Sequence, residues 1–297
     1  MNTSDSVSLH ALGYIVFGAT MVSFTSVLVE IANIGPTVTA FYRMLFGGVI
    51  LLAITLFRGN RVWLGIKSLA IPFLCAFLFS MDLFFWHRSI IYIGPGLATI
   101  LGNMQVFFVA LLAVLFLKER LGWQLIVAIP LAVLGLILIV QTGWGQHGGE
   151  VEIGVLYGLL TAFSFALYIL TLRRSQSAEQ KLRYSLFANM TWISLLSAVL
   201  LGITVLIEPN SHFVIPDLQT WGALLGLGIM GQVLGWVLIS KGLPQINASI
   251  GGLALLLQPA LAFIWDILFF DRPTTALEYF GAVIVLGAIY LGFSKKK

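Results

Sequence analysis

Windows of about 20 mostly apolar residues, the length a helix needs to cross roughly 30 Å of hydrocarbon, recur along this chain with only short polar breaks between them. Hydrocarbon supplies no hydrogen bonds to a bare backbone, so each window has to satisfy its own peptide groups as a helix. Ten spans are predicted, at 9–31, 36–57, 69–91, 95–117, 122–140, 153–172, 184–207, 220–241, 247–270 and 276–293. They leave no segment for a soluble domain. With 59% hydrophobic and 9% charged residues, the chain is too apolar for water-soluble folding at this length. The run from Leu9 is too long for a signal-peptide core and has no Lys or Arg before it, so it reads as an uncleaved first span.

Charge orients the spans. Short loops that carry Lys and Arg stay on the cytoplasmic side. With both termini inside, thirteen cations become cytoplasmic: Arg58, Arg61, Lys67, Lys118, Arg120, Arg173, Arg174, Lys181, Arg183, Lys241 and Lys295 to Lys297. The other face keeps only Arg272, beside Glu150, Glu152, Glu208, Asp217, Asp271 and Glu278. The net charge of +4 is therefore a topology signal; it forms no stripe that nucleic acid would follow. A lone Cys75 excludes an internal disulfide and a cysteine-based metal site, and reads as packing.

The two halves of the chain match each other. GYIVFGATMVSF from Gly13 pairs with GVLYGLLTAFSF from Gly154 at an offset of 141, aligning Thr20 with Thr161 and Ser23 with Ser164. DLFFW at Asp82 pairs with QVLGW at Gln232 at an offset of 150, and QVFFVALLAVLFLKER from Gln105 with QPALAFIWDILFFDRP from Gln258 at 153. Five helices per half is an odd number, so the second copy is inverted; the charged turn after Leu117 falls inside and its partner at Asp271 outside. The expected fold is an all-α membrane protein of ten transmembrane helices, arranged as two inverted five-helix repeats over 1–145 and 146–297. Secondary transporters of this construction hold their sites near the midplane, between the repeats.

FYRMLFGG at Phe41, ALLAVLFLKERL at the end of the fourth span, its second copy QPALAFIWDILFFDRP and the Gly-spaced FGAVIVLGAIYLGF near the C-terminus resemble, in order and spacing, the drug/metabolite transporter superfamily in its ten-helix EamA-type branch. The resemblance covers nearly the whole chain. It implies a ten-helix basket around a central cavity that exports small polar metabolites such as amino acids. Gln105-Val106 stands where that family often has a Pro, and Asp271-Arg272 replaces the second Glu. The first departure bears on how the fourth helix bends.

Candidate site residues are the polar groups stranded in apolar sequence. An ionisable side chain at bilayer depth costs about 2.5 to 3.5 kcal/mol on insertion scales, so it normally faces protein or a wet cavity. Asp82, mid-span, is either a carboxylate that accepts a proton or cation, or a structural acid paired with a neighbour. Trp86 lies one turn further along the same face, and Gln232 and Trp236 repeat the spacing. The two pairs either face each other across a cavity that stacks on a ligand or pack between helices. Arg43 is roughly 10 Å inside its span; it either binds a carboxylate or phosphate or pairs with Asp82 or Glu30. Arg88 lies nearer its helix end and fits snorkelling to the headgroups, and His87 is a proton relay or a core histidine. Gln105 and Gln258 occupy equivalent midplane positions, with Asn103 close to the first and Pro259 beside the second, suited to a zwitterion or to interhelical hydrogen bonds.

Other signals carry less. GLGIMG at Gly226 fits a dinucleotide fingerprint but lies inside an apolar span, where it reads as close helix packing. His147, Glu150 and Glu152 in a Gly-rich loop are poorly organised for a metal. No metal, cofactor or nucleic acid is expected. A small-molecule substrate and the bilayer are, with a proton and a second copy of the chain as candidate partners. The reading is a non-enzymatic secondary transporter of the inner membrane, exporting a small zwitterionic metabolite by alternating access; the alternative is an intramembrane enzyme acting on a lipid-linked anion. Reporter fusions test the orientation: both termini should report as cytoplasmic and the loops at Gln146 and Asn210 as external. An external C-terminal tag overturns the orientation and the inverted repeat together.

Overall fold

The computed structural model describes residues 9–63, 65–140, 151–176, 185–209, 211–271 and 273–293. Outside them lie both chain termini, the loop at Gln146, Asn210, the repeat boundary at 145/146, His147, Glu150, Lys181, Arg183, Arg272 and Lys295 to Lys297.

Nine helical spans among the described residues are long and apolar enough to cross a membrane: α1 (Leu9–Ile31), α2 (Pro36–Phe57), α3 (Ile66–Gly94), α4 (Leu97–Leu117), α6 (Val151–Ser175), α7 (Leu186–Ile207), α8 (Leu218–Gln245), α9 (Ala248–Phe270) and α10 (Ala276–Phe293). The tenth, α5 (Trp123–Val140), is shorter and carries Pro130 inside. The hydropathy windows anticipate every span. What they miss lies within spans. Helix α1 breaks at Phe24, α4 at Met104 just before Gln105, and α9 at Leu255 and Leu256 just before Gln258. In α8 a ten-residue π-helical stretch, Leu227–Trp236, replaces regular α-helix. Between α3 and α4 the chain turns at Gly94, whose φ of 77° is open to glycine and strained for other residues.

Exchanging the two halves leaves the helix pairing unchanged. Helix α1 packs on α8, as α6 packs on α3; α1 touches α9, as α6 touches α4; α2 pairs with its own counterpart α7, and α5 with α10. Transmembrane helices gain little from apolar surface alone and associate where small residues let backbones approach. The α5–α10 seam shows this: a Cβ on Gly135 would fall 2.7 Å from the Gly281 carbonyl oxygen, and one on Gly281 would fall 2.6 Å from that of Gly135. The core forms two apolar clusters. One, around Met44, Leu51, Phe79, Tyr168, Met190 and Trp236, joins α2, α3, α6, α7 and α8; the other, around Val106, Leu136, Phe263 and Val285, joins α4, α5, α9 and α10.

Gly135→Val should therefore destabilise the fold by about 1–3 kcal/mol through overpacking, lowering the melting temperature of detergent-solubilised protein. Gly287→Val, on the same seam helix α10 but facing open space, should melt like wild type.

Candidate functional site

A cavity of about 530 Å³ lies between the repeats, walled by α1, α2, α3, α4, α6, α8 and α9. That size suits a small molecule. Its lining runs from Asp82, Gln105, Thr161 and Phe165 at mid-span to Glu30, Pro36 and Asp266 near one end of the bundle. The breaks in α4 and α9 deliver Gln105 and Gln258 to it. Interrupted helices of this kind are tolerated at membrane depth where they border a cavity.

Six of the nine candidate residues line this space: Arg43, Asp82, Trp86, His87, Gln105 and Gln258. Arg43 reaches it from α2 by crossing the π-helical stretch of α8, where a Cβ on Gly231 would fall 3.0 Å from the Arg43 Nε. That Nε has no hydrogen-bond partner among the described residues, and Arg43 forms no ion pair there with Asp82 or Glu30. Asp82 is 8% exposed, and its backbone carbonyl accepts from the Thr161 hydroxyl at 3.4 Å. Both charged side chains thus face one space without neutralising each other.

The neutral polar groups are unequal. Gln105 donates its Nε2 to the Gly252 carbonyl at 3.2 Å, a bond between repeats, whereas the Nε2 of its counterpart Gln258 has no partner among the described residues. His87 shares a 3.1 Å hydrogen bond through Nδ1 with the Thr37 hydroxyl in the first turn of α2, which ties α3 to α2 at the cavity wall.

A profile of the EamA-like transporter family matches residues 9–141 and again 152–294, one match for each half. The chain belongs to the EamA-like transporter family. Its relatives include a pseudopaline exporter of Pseudomonas aeruginosa (strain UCBPP-PA14), 27% identical over 86% of this chain and 86% of that protein. An S-adenosylmethionine uptake transporter of Rickettsia bellii is 22% identical over 87% of this chain and 84% of its own length. A probable amino-acid metabolite efflux pump of Escherichia coli (strain K12) is 23% identical over 98% of this chain and 95% of its own. One solved crystal structure shares the fold with a TM-score of 0.77 at 17% identity, covering 97% of this chain and 99% of the other. Members of this family are transporters, which decides against an intramembrane enzyme.

Three candidates lie elsewhere in this EamA-like transporter. Arg88 stacks its guanidinium over the Phe84 ring at 5.1 Å. Gln232 is buried and donates to the Ser194 hydroxyl at 2.9 Å. Trp236 is 2% exposed and packs 5.2 Å from the Tyr168 ring, with Phe79 and Phe165 around it. Of the two readings of the Trp pairs, facing one cavity or packing between helices, each indole takes a different one: Trp86 borders open space and Trp236 packs in a sealed core. Spacing puts the two indoles on equivalent helix faces, but the halves of the bundle are packed differently around them.

Sequence reasoning missed Thr25, Ser26, Thr39, Thr161 and Asp266 as wall residues. Asp266 was within reach, because it is an acid inside an apolar span, the same signal that singled out Asp82. The hydroxyls had no such signal; Ser and Thr within membrane helices usually bond their own backbone, as Thr39 does to the Gly35 carbonyl at 3.0 Å.

The split has a measurable consequence. Trp236→Ala should empty a packed site and cost about 3–5 kcal/mol, read as a large drop in melting temperature. Trp86→Ala, at the cavity wall, should melt close to wild type.

Proposed function

We propose that this transporter exports a small zwitterionic metabolite, with amino acids the favoured class, across the inner membrane by alternating access, both termini lying in the cytoplasm. One observation carries the reading: Arg43 and Asp82 line the same cavity and form no ion pair with each other. A guanidinium suits a carboxylate, and a carboxylate suits an ammonium group. Trp86, Leu83 and Phe165 supply an apolar wall for the rest of the molecule. Relatives are named for export, uptake and efflux, so the direction rests on the resemblance to the exporters among them.

Asp82 is also the candidate for the coupled proton, since an intramembrane carboxylate that faces a cavity and has no cationic partner among the described residues is placed to exchange one. The purified protein reconstituted in proteoliposomes, supplied with a panel of labelled amino acids and a pH gradient, tests both roles. Arg43→Gln should abolish binding of the transported amino acid, seen as loss of its stabilising effect on melting. Asp82→Asn should fold and melt like wild type, lose accumulation driven by the pH gradient and keep exchange. Had Asp82 been the buried partner of Arg43, the same change would strand a guanidinium at a cost of about 3–5 kcal/mol; a melting temperature lowered to that extent would refute the cavity role. Wild-type accumulation with wild-type stability would make the carboxylate a bystander.

A further inference from the structure

The cavity occupies one half of the bundle, and the repeat explains what fills the other. Each lining residue has a counterpart in the opposite repeat, at offsets of 141, 150 or 153 along the chain. For Thr25, Arg43, Asp82, Trp86 and Asn103 these counterparts are Ala166, Ile193, Gln232, Trp236 and Leu256. All five counterparts are buried, none more than 2% exposed. These five positions border the cavity in one half and are sealed in the other, while the midplane pair Gln105 and Gln258 lines the cavity from both repeats; that asymmetry is what alternating access between inverted repeats requires of a single state.

Two charged side chains hold the sealed half together. Glu119, just after α4, accepts hydrogen bonds from the backbone N–H groups of Ala248 at 2.6 Å and Ser249 at 3.2 Å, and from the Ser249 hydroxyl at 2.7 Å. Arg173, in the last turn of α6, donates through Nε to the Leu243 carbonyl at 3.2 Å and through Nη2 to that of Ile246 at 3.0 Å. Both grip residues 243–249, the end of α8, the link after it and the start of α9, so that α4, α6, α8 and α9 converge on one connector. Charge-assisted hydrogen bonds of this type are about twice as strong as neutral ones. At the opposite end, the same repeat offsets put Arg272 in the place of Glu119 and Ala32 in the place of Arg173. One reverses the charge and the other removes it, so neither group of this grip recurs at its equivalent position.

We propose that Glu119 and Arg173 are the gating residues of this transporter, a latch that closes the half of the bundle containing Trp236 and whose two groups are not repeated at the equivalent positions of the half containing Trp86. Releasing the connector frees α8 and α9 to part from α4 and α6. That opens a second cavity walled by Ala166, Ile193, Gln232 and Trp236, while the cavity around Trp86 closes. The imbalance sets the resting state, with the cavity open on the Trp86 side.

The assignment rests on the alternating-access reading, but its test reads conformation without any cargo. In full-length purified protein with the sole cysteine removed by Cys75→Ala, Ala166→Cys probes the sealed half and Ser26→Cys the open cavity, each labelled with a small water-soluble methanethiosulfonate. Adding Glu119→Gln should raise the labelling rate at position 166 by about tenfold and lower it at position 26. Arg173→Gln should act in the same direction and serves as the second variant if Glu119→Gln fails to accumulate. Unchanged labelling at both probes, in a variant that melts within a few degrees of its parent, overturns the latch. If labelling shifts as expected and no amino acid is transported, the latch stands and the proposed cargo class is what fails.

Discussion

A polar group in hydrocarbon needs a partner, and the interior of this protein is organised by how that need is met. Many buried hydroxyls bond back to their own helix, as Thr55 and Ser194 do. Others join helices: Asn189 to Ser175, Thr55 to Thr191, Gln232 to Ser194 and Gln105 to the Gly252 backbone. Each bond of this kind contributes modestly, about 0.6 kcal/mol on average in membrane proteins, so their value lies in fixing which helices meet and at what register. The same rule makes the unpaired donors of Arg43 and Gln258 informative, because both stand at the wall of a cavity where solvent or a ligand can reach them.

Glycine sets how closely the helices pack. The pairs Gly18 with Gly235 and Gly135 with Gly281 bring backbones within reach of each other's carbonyls. Gly231 does something different: it leaves room for the Arg43 side chain to cross α8. A segment that fits a nucleotide-binding fingerprint by spacing is thus a π-helical stretch on which a charged side chain is threaded into the cavity. Widened helical turns of this sort recur at functional positions.

The inverted repeat links architecture to transport. In the proposed alternating-access cycle, two similar five-helix units of opposite orientation offer two arrangements, one open at each end, and small differences in sequence choose between them. Here the difference is polar and localised. A carboxylate and a guanidinium bond the connector at one end, and the corresponding positions at the other end carry Arg272 and Ala32 instead. The aromatic cluster of Phe79, Phe165, Tyr168 and Trp236 lies behind that fastening and seals it.

The number of spans, their limits to within a few residues and their grouping into two fives could be read from the chain, because apolar length and odd helix count are properties of one dimension. Asp82, Arg43, Trp86 and the two midplane glutamines could be picked out for the same reason: each is a costly or unusual side chain at a depth that hydropathy alone defines. Tertiary structure decided what those side chains face. Whether Trp236 lines a cavity or plugs one, whether Arg43 is neutralised by Asp82, and that Glu119 caps a connector 129 residues away all depend on how helices pack across the repeat interface. Helix periodicity repeats identically in both halves, whereas packing has to choose one open end, and that choice is made by contacts between residues far apart in sequence.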